Sequence, residues 1–359
     1  MTEASPLVLL TGAAGNLGRS IAGMLGDDYR IVGLDRQGEA SFPLIEVDLT
    51  DDEAIDTALA EVRERFGSRI ASVIHLAAYF DFSGEEHPLY RKLNVDGTRA
   101  LLRALQPFQV ERFIHASTIL VHAPGEPGQR IDEGSPIGPR WAYPKSKAEA
   151  EAAIREGAGS IPFLILRLAG VYDEETMVPT LAHQIARIFE RDFKSHFYSG
   201  STDVGQSMLH REDMLDAFRR AVDRRDDLEQ HETLLIGEPE AIAYRRLQDE
   251  IGALIHGREQ WITLRVPKPV ATAGTWAQEK LEPLIPDAVD KGEAPFVKPF
   301  MIRMADDHYA LDVSRARERL GWMPRHRLLD TLPAMVAELK RDPIGWYEKN
   351  KVTAPEWLT

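Results

Sequence analysis

Short apolar, β-branched runs alternate with longer amphipathic stretches through the first half of the chain. The runs are Leu7 to Thr11, Arg30 to Asp35, Leu44 to Asp48, Ser72 to Ala77, Arg112 to Ser117 and Phe163 to Leu168. Each is short enough for a strand and apolar enough to be covered on both faces. Between them, Thr50-Asp51-Asp52-Glu53 reads as a capping box ahead of Ala54, Ile55, Leu59, Val62 and Phe66, whose spacing makes one apolar stripe on a helix. Strand, helix, strand repetition predicts an α/β fold with a doubly wound parallel sheet. After about Val171 the rhythm breaks, prolines and aromatics become frequent, and only Glu232 to Gly237 still reads as a buried strand. We therefore expect a sheet domain over residues 1–172, rejoined by 206–240, and a smaller C-terminal α/β lobe built from 173–205 and 241–345. In that lobe Val266-Pro267-Lys268-Pro269-Val270 leads into Trp276 and Leu281, which reads as a proline-started amphipathic helix able to cover an apolar cleft. The tail, 346–359, holds Trp346, Tyr347 and Trp357, too many large aromatics for idle linker, and is expected to dock on the body or on a second subunit.

The bulk numbers narrow the function classes. At 359 residues the chain can bury a sizeable core. A formal net charge of -14 would repel a phosphate backbone, and Arg219-Arg220 with Arg224-Arg225 read as a solvated helix face rather than a basic stripe, so no nucleic acid is expected. Cysteine is absent, which removes thiolate metal sites, disulfides and cysteine nucleophiles and fits a cytoplasmic location. No apolar run approaches the roughly 20 residues that a bilayer span needs, and the first residues lack the basic region of a signal peptide.

The candidate chemistry begins at Thr11-Gly12-Ala13-Ala14-Gly15-Asn16-Leu17-Gly18, which follows a strand and opens a helix. Gly12 permits a tight turn, Gly15 lets backbone approach a pyrophosphate, and Gly18 lets the helix pack closely, while the helix N-terminus supplies amide donors. Asp35 ends the next strand, where a carboxylate binds adenosine ribose hydroxyls and repels a 2′-phosphate. That favours NAD, although the adjacent Arg36 is also placed to reach a 2′-phosphate. Further on, Tyr143-Pro144-Lys145-Ser146-Lys147 puts a phenol and an ammonium four residues apart, on one face of a helix. The Lys147 charge would favour the ionised Tyr143, turning a phenol of ordinary pKa about 10 into a proton acceptor near neutral pH. The strand Phe113-Ile114-His115-Ala116-Ser117-Thr118 ends in two hydroxyls at the carboxyl edge of the sheet, where Thr118 can orient a substrate oxygen.

These residues together resemble the extended short-chain dehydrogenases/reductases, the NAD-dependent epimerase/dehydratase family, over nearly the whole length. The loop resembles the family's TGxxGxxG. Asp48-Leu49 resembles its adenine-contacting pair, and His75-Leu76-Ala77-Ala78 its strand end beside the cofactor. Pro88, Tyr90 and Asn94-Val95-Asp96-Gly97-Thr98 resemble the helix that follows, and Ser117-Thr118, Tyr143 and Lys147 the catalytic set. Leu166-Arg167, Val171-Tyr172, His210 with Asp213, and Leu320-Gly321-Trp322-Met323-Pro324 resemble later signatures. The resemblance implies a Rossmann-type fold with bound NAD, and catalysis by Thr118, Tyr143 and Lys147, the last also holding the nicotinamide ribose. It further implies cofactor contacts from Gly12, Ala14, Gly15, Asn16, Leu17, Gly18, Asp35, Arg36, Asp48, Leu49, Leu76, Ala77 and Ala78, and from Tyr143 and Lys147 themselves. A homodimer formed through helices near 89 to 105 and 143 to 156 is implied as well.

The expected activity is hydride transfer at a secondary alcohol. Whether it is a net dehydrogenase or an epimerase stays open, and a nucleotide-sugar 4-epimerase, a 3β-hydroxysteroid-like dehydrogenase and a non-catalytic dinucleotide sensor or scaffold are the alternatives. Two departures weaken a UDP-sugar reading. Gly170 stands where sugar-nucleotide enzymes commonly carry an asparagine, and Gln206 stands where they carry an arginine. Ile119-Leu120 stand where 4,6-dehydratases carry an acid pair, which argues against dehydration. After the HLAA strand end come Tyr79-Phe80-Asp81-Phe82, core packing or an apolar wall for the substrate; Tyr79, Phe80, Gly170 and Gln206 are the candidate substrate residues. His183, His196 and His210 lack the spacing of a helix metal site, so no metal is expected.

Overall fold

The computed structural model describes residues 5–82, 84–191, 196–198, 200–257, 260–265, 302 and 304–358. The 266–281 segment expected to carry a covering helix lies outside the described residues.

The strands are β1 (Leu7–Thr11), β2 (Arg30–Asp35), β3 (Leu44–Glu46), β4 (Arg69–Ile70), β5 (Ser72–His75), β6 (Gln109–Val110), β7 (Phe113–Thr118), β8 (Phe163–Leu168), β9 (Gly170–Tyr172), β10 (Phe197–Tyr198), β11 (Met208–His210), β12 (His231–Ile236) and β13 (Leu264–Arg265). Seven of them form one sheet in the order β12-β8-β7-β5-β1-β2-β3. Every pairing in it is parallel. The strand order therefore reverses between β1 and β5, and a crevice opens at the carboxyl ends of those two strands. All five residues of β1 and all six of β8 are buried, as continuous apolar runs covered on both faces require. Each such Leu, Ile or Val contributes roughly 1.5–3 kcal/mol by leaving water.

The helices are α1 (Asn16–Leu25), α2 (Asp52–Phe66), α3 (Thr98–Leu105), α4 (Ala142–Gly157), α5 (Pro179–Glu190), α6 (Arg211–Asp223), α7 (Tyr244–His256), α8 (Ser314–Leu320), α9 (Leu328–Arg341) and α10 (Pro343–Lys349). One core lies on the α1 and α6 side of the sheet and a second on the α2, α3 and α4 side. The cap of α2 falls one residue later than the sequence suggests: Asp51, not Thr50, accepts the Glu53 and Ala54 amides. Thr50 instead donates to Asp48. The basic pairs at and just after the end of α6 are partnered by acids, since Arg219 meets Asp28, Arg220 meets Asp216 and, beyond the helix, Arg225 meets Glu111.

A third core joins Tyr172, α5 and α7 to α9 and α10, with Trp346 and Tyr347 fully inside it. Tyr347 donates to Glu190, and the Asn350 side chain receives the Met177 amide while donating to Glu175 O. The tail thus docks on its own chain; of its three large aromatics Trp357 stays exposed, against Phe189.

Candidate active site

The glycine loop is shaped before any ligand contributes. Gly12 takes φ +68, a left-handed backbone that side chains disfavour, and a Cβ on Gly18 would lie 2.3 Å from Gly12 O. Asp35 is already committed to this loop: its Oδ2 accepts the Ala14 amide at 2.9 Å and its Oδ1 the Arg36 amide at 2.8 Å. The cleft at the crevice encloses about 840 Å³ and is lined by Gly12, Ala14, Gly15, Asn16, Leu17, Gly18, Asp35, Arg36, Asp48, Leu49, Leu76, Ala77 and Ala78. An elongated groove with a backbone-lined anion end and a carboxylate wall fits a dinucleotide. Asp48 is held below the usual carboxylate range by its two bonds from Thr50.

Behind this cleft, β1, β5 and α3 are tied by a neutral imidazole. Thr98 donates to Asn94 O and Thr11 receives the Ala77 amide. His75 must therefore donate from Nε2 to Thr98 (2.9 Å) and accept at Nδ1 from Thr11 (2.8 Å). Burial, helped by the nearby Lys147 charge, depresses its pKa to about 3, so it stays neutral.

Thr118 ends β7, the strand beside β5, and Tyr143 and Lys147 lie on α4. Thr118 caps a short 3-10 turn over Ile119–Val121, accepting the Leu120 amide and keeping its own proton to donate. Its neighbour Ser117 is committed elsewhere, donating to Glu151 at 2.6 Å and so fastening β7 to α4. Helix α4 begins at Ala142 because Trp141 is extended and Pro144 sits in the first turn, where its missing N–H costs nothing. Tyr143 is partly buried and Lys147, one turn later, is 2% exposed. Burial lowers Lys147 to about 8 even though Glu151, a further turn on, opposes the shift.

The acidified phenol expected from sequence is not what the protein side chains produce. Burial, with Tyr90 nearby, pushes Tyr143 up to about 12. No hydrogen bond joins Tyr143 to Lys147 among the described residues, and burial is the main cause of the rise.

Glu151 anchors a buried network. It pairs with Arg167 at 2.7 Å and Arg155 at 3.2 Å, and Arg167 also donates to His122 Nε2 at 2.8 Å. His122, kept neutral at about 4 chiefly by burial, donates from Nδ1 to Ser135 O.

The candidate substrate residues divide. Phe80 stands edge-on to Tyr143 (ring centroids 4.8 Å apart) and is 50% exposed, with Phe82 and Trp141 completing a cluster. Tyr79 goes to the other group: it stacks on His87, meets Tyr90 edge-on, and lines the dinucleotide cleft. Gly170 pairs with Met208 in β9, and a Cβ there would meet Met208 Sδ at 3.1 Å and Val178. Gln206 is fixed by a bridge to Tyr309.

Two residues make contacts that their sequence neighbourhoods do not announce. Asn94 sits within a π-helical turn, Tyr90–Gly97, an arrangement found mostly at functional sites. Its carboxamide receives the Tyr79 amide at 2.7 Å and donates to Tyr79 O and to Ser146 Oγ. His326 meets His210 with the rings stacked 4.0 Å apart, beside Glu212 and Asp213. Near-parallel rings do not aim their in-plane lone pairs at one point, and His210 Nδ1 already takes the Glu212 amide, so we assign no metal there.

Comparison with known proteins agrees with this geometry. Residues 8–237 match the NAD dependent epimerase/dehydratase family. The N-acetyl-alpha-D-glucosaminyl-diphospho-ditrans,octacis-undecaprenol 4-epimerase of Escherichia coli is 32% identical over 187 residues, 50% of this chain and 54% of that protein. The dTDP-D-glucose 4,6-dehydratase of Mus musculus is 28% identical over 231 residues, 59% and 63% of the two chains. The chain thus spans between half and two thirds of the length of these curated relatives. Among solved structures, the dTDP-glucose 4,6-dehydratase of Bacillus anthracis in complex with NAD superimposes with a TM-score of 0.67 at 17% identity, covering 96% of this chain and all of that one, which is a likeness of fold. With the glycine loop, the switch-point cleft and the Tyr143–Lys147 helix face in place, the match over most of the sheet domain makes this chain a member of the NAD dependent epimerase/dehydratase family.

Proposed function

We propose that the chain catalyses NAD-dependent hydride transfer at a secondary alcohol, with Tyr143 exchanging the hydroxyl proton. The observation that carries this reading is α4 itself. It presents Tyr143 and Lys147 on one face and is fastened by Ser117 and Glu151 to the strand that ends in Thr118. Bound in the glycine-lined cleft, NAD would supply the hydride acceptor. Thr118 donates its free proton to the substrate oxygen and fixes it. Tyr143, protonated at neutral pH, gives its proton in the reductive direction and takes one in the oxidative direction. Lys147 holds a positive charge one helical turn away, which stabilises the phenolate when it forms. Net dehydrogenation and epimerisation both use this set; Ile119 and Leu120, in the turn after Thr118, offer no second acid or base for dehydration.

The working form we infer is a homodimer in the cytoplasm, joined through the faces of α4 and the Tyr90–Leu105 helical stretch, where Arg91 and Glu149 pair in solvent. Among the described residues no helix is long and apolar enough to cross a membrane.

The deciding experiment denatures the purified protein and assays for released NAD, then supplies alcohols with and without added coenzyme. Retained coenzyme with turnover indicates epimerisation, and accumulating reduced coenzyme indicates a dehydrogenase. A Tyr143→Phe variant that binds NAD and keeps full activity would overturn the mechanism.

A further inference from the structure

We propose that Tyr90 is a positioning residue of the hydride-transfer site: its hydroxyl grips the Asp81 backbone and thereby fixes where Phe80, and with it the Tyr143 phenol, stands. The inference rests on the hydride-transfer reading and adds to it a residue that acts on the reacting group through another side chain.

Strand β5 ends at His75, and the chain beyond it is held by side chains of the π-helical stretch Tyr90–Gly97. Asn94 receives the Tyr79 amide at 2.7 Å and donates to the Tyr79 carbonyl at 3.1 Å. Tyr90, one turn earlier on the same face, treats Asp81 in the same way: its hydroxyl receives the Asp81 amide at 3.3 Å and donates to the Asp81 carbonyl at 3.0 Å. Phe80 is slung between these two grips. The Tyr90 hydroxyl carries one proton and the Asp81 carbonyl takes it, so none is left for a substrate. The ring has a separate task. It is 4% exposed and meets Tyr79 edge-on with centroids 4.9 Å apart, so packing belongs to the ring and the grip to one oxygen atom.

Phe80 carries this grip to the reacting group. It lies edge-on to Tyr143 at 4.8 Å and 79° and 6.3 Å from Trp141, and Phe82 completes this aromatic wall at 6.1 Å from Trp141. Half of the Phe80 residue faces solvent, so side-chain packing alone encloses only part of it, and its place depends on the backbone to either side. The Tyr90 phenol also stands close enough to Tyr143 to help raise its pKa, a second sign that the two hydroxyls share one neighbourhood. Proton exchange with a bound alcohol is sensitive to small errors of placement: a shift of about 1 Å can cost on the order of a hundredfold in rate.

The test compares the parent, Tyr90→Phe, Phe80→Ala and the double variant, all loaded with NAD, using UDP-glucose and cyclohexanol as the alcohols. Tyr90→Phe keeps the ring, so Tm and NAD affinity are expected to stay near the parent's while kcat falls roughly tenfold and KM changes little. In the Phe80→Ala background the same change should cost less than about twofold, because the link it acts through is gone. A merely structural role would cost the same in both backgrounds, and that result, or a Tyr90→Phe kcat equal to the parent's, would overturn the proposal. Crystal structures of the parent and Tyr90→Phe with NAD need no alcohol. Phe80 displaced from its edge-on contact with Tyr143, or spread over several rotamers, is the expected result; Phe80 in its parental place would overturn the proposal whatever the rates. Tyr143→Phe, assayed beside them, separates the two claims. Full activity there removes the hydride-transfer reading, whereas an inactive Tyr143→Phe beside an unimpaired Tyr90→Phe removes the positioning role alone.

Discussion

The Asn94 carboxamide donates to Ser146 Oγ across 2.9 Å, and Ser146 passes its own proton to the Tyr143 carbonyl at 2.7 Å. One side chain on a π-helical turn thereby sets the first turn of α4 and, through Tyr79, the chain leading into the aromatic wall. Asn94→Ala removes three bonds at once and leaves buried partners unpaired. We expect kcat to fall roughly tenfold or more through misplacement of Tyr143, with NAD affinity changed far less. Unchanged kcat, measured beside coenzyme titration, would refute the link.

The pH profile follows from two groups. Tyr143 is pushed up to about 12 and Lys147 down to about 8. Alcohol oxidation needs the phenolate, so its rate should rise with pH from neutral upward, until Lys147 loses its charge near pH 8 and the rise flattens. Ketone reduction needs the phenol, which persists across this range, so that rate should stay level up to about the same pH and then decline. Steady-state rates in both directions between pH 6 and 10 check this, and a level oxidative rate contradicts it.

Asp35 both repels a 2′-phosphate and receives the Ala14 amide. Asp35→Ala should weaken NAD about tenfold, from lost ribose bonds and a loosened loop, and weaken NADP less because repulsion is relieved. Isothermal titration of both coenzymes decides it; an equal loss would discredit the ribose role.

The Glu151–Arg167 pair is almost wholly buried. Replacing Arg167 by Ala leaves a carboxylate without its main partner, and we expect a loss of about 3–5 kcal/mol. Urea melts of Arg167→Ala against Arg167→Ala/Glu151→Leu should show the second change recovering part of that loss; no recovery would mean the charge is not the cause.

Glu238 takes the Tyr172 hydroxyl and the Leu328 amide, yet burial raises its pKa from an ordinary 4.5 to about 7. A carboxyl whose folded pKa is raised contributes stability that is complete below about 4.5 and is lost as pH climbs through about 7. His75 and His122, depressed to about 3 and 4, act oppositely, their contribution being present above about 6.5 and lost as pH falls through those values. Glu238→Gln should therefore gain thermal stability relative to the parent at pH 8 compared with pH 5. A difference in Tm that does not move with pH would exclude this titration.

Much of this was written in the local pattern. The bounds of β1, β2 and β8 follow from their largely apolar runs, because a strand buried on both faces admits a polar residue only where it finds a partner, as Arg167 does in Glu151. The glycine loop was legible for the same kind of reason, since Gly12 and Gly18 occupy places where a side chain meets backbone. What escaped were contacts between residues far apart in sequence. Asn94 meeting Ser146, and His210 meeting His326, depend on how elements pack and leave no periodic trace. The raised Tyr143 escaped because spacing reports which residues share a helix face but not the burial that raises the phenol. Tyr79 and Phe80 are adjacent, and only the turn of the backbone sends one to the coenzyme groove and the other to the aromatic wall.

The third core has a consequence for how the protein is made. Tyr172, Leu181, Ile185 and Ile188 share their apolar core with Leu332, Met335, Leu339, Trp346 and Tyr347, which are synthesised about 150 residues later. The sheet strands β1 to β8 can associate earlier, while the lobe's greasy face waits uncovered for its closing helices. A nascent chain stalled before α9 would thus hold a largely assembled sheet beside a sticky, unfinished flank, and that interval is where chaperone engagement or aggregation should concentrate.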